Sequence, residues 1–216
     1  HPARLASLAR VGRDLLIRTA ALRAALVVAT AVATRLGDTD VAAHQVAFEL
    51  WSFLALGLDA IAIAGQAIVG RALGAGDSEV ARAAGRRMIE WGIAGGMIVG
   101  IVVAALSRVL PHVFTSDADV VALASFLLLW VAALQPVNAV AFVLDGVLIG
   151  AGDMRFLAWA MVGAAGLFVP AALAVAVLDL GIGWLWASVG LLMTTRALTL
   201  GARFAGGRWA VVGATR

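Results

Sequence analysis

The sequence predicts an all-α membrane protein, a bundle of six transmembrane helices. Three observations carry this. The 216 residues are 63% hydrophobic and only 13% charged, against about 45–50% and about 25% in soluble domains. Apolar runs long enough to cross a bilayer, about 20 residues each, recur six times. No ten-residue apolar/polar alternation appears, so helices and not barrel strands are the spanning elements. The same figures exclude a disordered chain, and the lack of cysteine excludes a disulfide scaffold.

The spans follow in order. Asp14–Leu36 is the first, closed by Gly37-Asp38-Thr39-Asp40. The second runs over about 42–73 and stops at Gly74-Ala75-Gly76-Asp77. A charged amphipathic segment with Arg82, Arg86 and Arg87 leads into the third, about 88–110, ended by Pro111. The fourth, about 120–150, contains Gln135-Pro136 and stops at Gly150-Ala151-Gly152-Asp153. The fifth covers 156–178 around Pro170, and the sixth 182–204. Residues 1–13 lack the small-residue cleavage pattern of a signal peptide and are expected to be a cytoplasmic linker. Residues 206–216 are expected to be a cytoplasmic tail.

All sixteen basic residues are arginine. The isoelectric point of 11.2 would suggest nucleic acid in a soluble domain, but the net charge is only +3 and no nucleic-acid partner is expected. Cytoplasmic loops are enriched in basic residues. With the amino terminus inside, fourteen arginines are cytoplasmic or near that side and only Arg35 and Arg108 are outside. Both termini are therefore expected in the cytoplasm, in a multi-pass plasma (inner) membrane protein.

The two Gly-Ala-Gly-Asp sequences, 76 residues apart, predict helix stops. A glycine takes the left-handed position after the helix, and the aspartate caps the next one. Their equivalent placement also suggests duplication of a helix pair, a common origin of transporters.

Polar residues at membrane depth are costly and usually face a protein interior or a cavity. On the second span Gln45, Glu49 and Ser52 share one face, and Asp59 and Gln66 share another about 80° away. On the fourth, Gln135, Asn138 and Asp145 share a face beside Pro136, which frees backbone carbonyls there. Gln45, Glu49, Asp59, Gln66, Gln135, Asn138 and Asp145 are the candidate substrate or ion pathway. Each acid also has a structural alternative: Glu49 could pair with Arg35 or Arg108, and Asp145 with Arg71 or Arg155. Arg23 is expected to snorkel to the inner surface.

Other chemistry is not indicated. His1, His44 and His112 are far apart and no cysteine accompanies them, so no metal site is expected. A phosphate-binding P-loop needs lysine, which is lacking, and no nucleophile elbow occurs. No catalytic residue or cofactor is assigned, and no enzyme is expected. Among the tryptophans, Trp130, Trp159, Trp184, Trp186 and Trp209 lie partly where interfacial anchors belong.

The stretches Ala42-Ala43-His44-Gln45, Trp51-Ser52, Leu56, Asp59 and Ala64-Gly65-Gln66-Ala67 resemble the eighth helix of multidrug and toxic compound extrusion (MATE) transporters, most closely the DinF-like branch. Asp14-Leu15-Leu16-Ile17-Arg18-Thr19 and Gln135-Pro136-x-Asn138 through Asp153 fit the same branch, and the resemblance covers about residues 3–205. It implies the C-terminal six-helix lobe of a twelve-helix antiporter, a partner N-terminal lobe outside this chain, and amphipathic or cationic substrates moved by alternating access. Sodium-coupled branches carry an acid on the helix matching the first span, and none lies between Asp14 and Asp38. The resemblance therefore implies proton coupling in preference to sodium. Two competing functions are a lipid-linked-oligosaccharide flippase, which would need several cationic residues at depth, and a non-transporting membrane scaffold.

Overall fold

The structure is a computed structural model that describes residues 2–213, with side chains from residue 9 onward. Residue His1, the Arg4 side chain and Arg216 lie outside the described residues. The described residues form six α-helices: α1 (Pro2–Leu36), α2 (Asp38–Gly74), α3 (Ser78–Leu106), α4 (Ala118–Gly150), α5 (Met154–Leu178) and α6 (Ile182–Ala205). Five of them, α1 to α5, are long and apolar enough to cross a membrane. The sixth has spanning length, but Ser188, Thr194, Thr195 and Arg196 lower its hydropathy. It packs against α4 and α5 with Ser188 and Arg196 buried, whereas Thr194 is exposed.

Three boundaries differ from the sequence expectation. Residues 2–13, expected as a linker, continue α1 without a break; nothing in Ala3–Arg13 stops a helix, and Leu5, Leu8 and Val11 propagate it. The charged segment after Asp77 and the third span are one helix, α3, whose arginines 82, 86 and 87 are exposed while Ala81 and Gly85 face inward. That helix ends at Leu106, four residues earlier than expected, where the Ser107 hydroxyl donates to the Ala104 carbonyl at 2.8 Å. A single 3-10 turn, Leu110–Val113, starts beside Pro111.

Both Gly-Ala-Gly-Asp stops close in the same way. The Asp77 N–H donates to Ala72 and the Gly76 N–H to Leu73, and the Asp153 N–H donates to Leu148 and the Gly152 N–H to Ile149. These are Schellman pairs around a left-handed glycine, with φ of 85° at Gly76 and 73° at Gly152. The aspartates then part company. The Asp77 carboxylate caps α3 by accepting the Val80 N–H at 2.9 Å. The Asp153 side chain does not cap α5 and instead accepts Nε of Arg203 at 2.7 Å.

Helix α4 is the centre of the bundle and packs on α2, α3 and α6, while α1 leans chiefly on α5. Lipid and helix side chains are equally apolar, so association in a membrane depends on close fit. Glycine supplies that fit. A Cβ at Gly146 would stand 2.2 Å from the Ala62 carbonyl oxygen, and one at Gly150 would stand 2.5 Å from that of Gln66. The α2 and α4 backbones touch along this seam. Across the other side, Gly96 and Gly100 of α3 leave only 2.8 and 2.6 Å to the Gln135 and Ala132 carbonyl oxygens. Pro136 has no N–H to offer Ala132, so that freed carbonyl faces the Gly100 backbone.

The chain end is not a loose tail up to residue 213. Trp209 is fully buried with Ala81, Leu148 and Leu200, stacks on Phe204 and donates Nε1 to the Phe204 carbonyl at 2.9 Å. Trp186 is likewise in the core at 1% exposure. These two tryptophans are packing residues, whereas Trp159 and Trp184 are exposed as interfacial anchors would be.

Candidate functional site

The polar residues of α4 are buried. Gln135, Asn138 and Asp145 all lie within the bundle, on the helix where the sequence pattern put one polar face. The Gln135 side chain is satisfied locally, donating Nε2 to the Val131 carbonyl at 3.3 Å. Asn138 keeps its Oδ1 buried without a hydrogen-bond partner among the described residues.

Asp145 is the hub. The same oxygen, Oδ2, accepts Nη2 of Arg18 on α1 at 2.6 Å and Nη2 of Arg196 on α6. Arg196 also reaches Met193 Sδ at 3.4 Å and lies 5.7 Å from the centre of the Phe142 ring. These contacts surround a guanidinium whose residue is 3% exposed. At 1.5 Å per residue, Asp145 lies about 8 Å and Arg196 about 14 Å from the end of its helix. The triad therefore sits inside the membrane-spanning part, joining three helices through one carboxylate.

This corrects the expected pairing of Asp145 with Arg71 or Arg155. Arg71 is exposed at the end of α2, and Arg155 follows the α4–α5 turn and lines a separate pocket. Neither faces the buried side of α4. The arginines that do are Arg18 and Arg196, which the sequence pattern assigns to orientation alone. The signal for them was available: each interrupts an apolar run, Arg196 by a wide margin.

The polar residues of α2 have the opposite environment. Gln45, Glu49, Asp59 and Gln66 are exposed in this chain. Glu49 pairs with neither Arg35 nor Arg108; it accepts Nε2 of Gln45 at 3.4 Å along its own helix. Asp59 lies about 22 Å from the end of α2 and within electrostatic range of Asp145, Arg18 and Arg196. Arg23 lines an open cleft of about 440 Å³ between α1 and α2, with Thr30, Thr34 and Phe48.

One further polar group, weighed in the sequence only as a metal ligand and as part of the family resemblance, is buried. His44 is 1% exposed, lies 3.5 Å from the Thr30 hydroxyl through Nε2, and packs against Phe48 and Trp186. Its Nδ1 and the Nε1 atoms of Trp51 and Trp186 have no partner among the described residues.

The arrangement is that of a helical membrane bundle with an ion-paired interior and an acidic face open on one side. Its class is a multi-pass membrane transporter fold. The MatE family model matches residues 19–175, and the chain belongs to the MATE family. Protein DETOXIFICATION 43 of Arabidopsis thaliana is 35% identical over 196 residues, 91% of this chain and 37% of that protein. Multidrug and toxin extrusion protein 2 of Mus musculus is 30% identical over 59% of this chain and 22% of its own length. Among solved structures, a MOP superfamily transporter from Pyrococcus furiosus superposes with a TM-score of 0.86 at 19% identity, over 95% of this chain and 46% of that one. The eukaryotic MATE transporter AtDTX14 gives 0.76 at 21% identity, over 80% of this chain and 39% of that one. The chain thus spans little more than a third of the Arabidopsis relative and just under half of the archaeal transporter.

Proposed function

We propose that this chain is one six-helix lobe of a secondary active efflux transporter. It would work with a second lobe by alternating access, exporting small amphipathic or cationic compounds in exchange for protons. The observation that carries this is the exposed acidic face of α2. A carboxylate facing hydrocarbon at mid-span costs about 2.5–3.5 kcal/mol or more, so Glu49 and Asp59 must look onto protein or water. A second lobe across a water-filled cavity provides both, and relatives about twice as long or longer have room for one.

Asp59 is the proposed coupling group. Asp145 is buried, and its carboxylate is already engaged by two guanidiniums. Asp59 is accessible and adjacent, so a proton or a cationic substrate can reach it and alter its attraction for the triad. Only a ligand that interacts differently with inward- and outward-open states can drive the exchange between them. The arginine distribution supports cytoplasmic termini in the plasma membrane.

The test is proton-gradient-driven dye efflux in vesicles containing the full transporter. The Asp59→Asn variant should fold and insert normally yet lose at least tenfold in coupled efflux. Unchanged exchange in that variant would remove Asp59 from the mechanism. A sodium gradient replacing the proton gradient should not sustain efflux.

One observation favours a second reading. Arg18 and Arg196 place two cations at depth against the single charge of Asp145, the feature expected of a flippase or another carrier of anionic substrates. Competition of the dye efflux by anionic rather than cationic compounds would select this reading.

A further inference from the structure

We propose that Asn138 is a second docking point for the Arg196 guanidinium, to which Arg196 transfers when Asp145 loses its negative charge. Three close approaches fix how α4 and α6 lie together. A Cβ at Gly183 would meet the Phe126 ring at 3.3 Å, one at Gly190 the Leu134 side chain at 3.4 Å, and one at Gly201 the Leu144 side chain at 3.9 Å. The partners are 56 or 57 residues apart each time and rise together, so the two helices run parallel in a constant register. By that register Arg196 stands level with residue 139 or 140 of α4. At 1.5 Å per residue, Asn138 is about 2 Å from that level and Asp145 about 8 Å. Arg196 therefore reaches Asp145 by slanting toward the carboxyl end of α6, past the residue that stands beside it.

Asn138 is fitted to receive the guanidinium. It is 1% exposed, and its Oδ1 has no hydrogen-bond partner among the described residues. A buried acceptor left unpaired is unfavourable, and such groups are rare enough in folded proteins to call for a use. Asn138, Phe142 and Asp145 follow one another at spacings of four and three, on one face of α4. The Phe142 ring thus sits between the two acceptors. The Arg196 guanidinium already lies 5.7 Å from its centre, where an aromatic face attracts a cation.

Charge decides which acceptor is occupied. A carboxylate binds a guanidinium more strongly than a neutral amide does, so Arg196 stays on Asp145 while that group is ionised. A proton or a cationic group at the carboxylate removes this advantage. Arg18 of α1 holds the same oxygen, Asp59 of α2 lies within electrostatic range, and α3 meets α4 through Gly92, Gly96 and Gly100. Transfer of Arg196 detaches α6 from the hub and leaves the glycine-lined α4–α6 seam in place. The device belongs to the bundle itself and does not rest on the transport reading.

The test moves charge to the second docking point in the purified chain. Asn138→Asp supplies one carboxylate for each arginine, so its thermal midpoint should stay within about 2 °C of the parent or rise. A larger fall would overturn the proposal, because a new acid beyond the reach of Arg196 is an unpaired buried charge. A second variant serves if that one does not fold. Asn138→Leu should change the parent midpoint by less than about 2 °C, yet lower that of Asp145→Asn by about 3 °C or more. Equal effects in the two backgrounds would overturn the transfer. Methionine methyl-13C labelling reads the movement itself, since Met193 Sδ lies 3.4 Å from Arg196 Nη1. The Met193 signal, assigned with Met193→Leu, should shift in Asp145→Asn; an unmoved signal means that Arg196 has stayed in place and refutes the switch.

Discussion

Replacing Asp145 with asparagine should destabilise the chain more than any change on its surface. The substitution keeps shape and removes the charge that two arginines share. Arg18 has an escape, because its side chain is 18% exposed and can swing toward water. Arg196 is more tightly enclosed: its side chain is 4% exposed, with Met193 and the Phe142 ring packed beside it. Stranding one member of a buried pair costs about 3–5 kcal/mol. For a chain of this length each kcal/mol lowers Tm by about 2–4 °C, so the fall should be about 6–20 °C. Thermal unfolding of the purified chain, followed by tryptophan fluorescence, measures it. The control is Asp145→Asn/Arg196→Met, which removes the stranded charge and keeps most of the volume. Replacing whole buried pairs is often neutral, so the double variant should recover most of the loss. A double variant as unstable as the single one would refute the argument, because the cost would then lie in packing around Asp145 and not in an uncompensated guanidinium.

Other substitutions discriminate at single sites. Gly146→Ala should abolish well-folded expression or cost about 3 kcal/mol or more, since its Cβ would meet the Ala62 backbone at 2.2 Å, whereas Gly163→Ala meets nothing within 4 Å and should be neutral or slightly stabilising. Gly152→Ala should cost about 1–2 kcal/mol through its φ of 73° alone, measured as a shift of the thermal midpoint. Trp209→Ala should cost about 3–5 kcal/mol and expose residues 206–213 to protease, seen as a cut that the parent chain resists. Gln45→Ala, which removes an exposed 3.4 Å contact to Glu49, should change stability by less than about 0.5 kcal/mol.

The helices were legible because hydropathy and turn chemistry act locally. Gly74–Asp77 and Gly150–Asp153 signalled two stops that the structure closes with identical hydrogen bonds. Locality also explains the failures. Whether Asp153 caps α5 depends on Arg203, fifty residues away, and no spacing rule reaches that far. The same holds for Asp145, whose partners come from α1 and α6. Helical periodicity placed Gln135, Asn138 and Asp145 on one face, but it could not say that this face is buried while the α2 stripe is open. That difference arises because α4 is enclosed by α2, α3 and α6, which is a property of assembly.

The two acids at depth are separated by environment, and this decides which one can do work. A group can transmit a binding event only if something can reach it and if its charge matters to a neighbour. Asp145 satisfies the second condition but not the first, since it is buried and its Oδ2 is shared by two arginines. Gln45 and Glu49 satisfy the first, but they bond each other near the other end of α2. Asp59 satisfies both, being exposed and coupled electrostatically to all three members of the triad. Neutralising it would strengthen the hold of Asp145 on Arg18, the one member with freedom to move. Arg18 is anchored on α1, which leans on α5 and makes little contact with α4 beyond this ion pair. A change of charge at Asp59 is thus felt at the ion pair that joins α1 to α4.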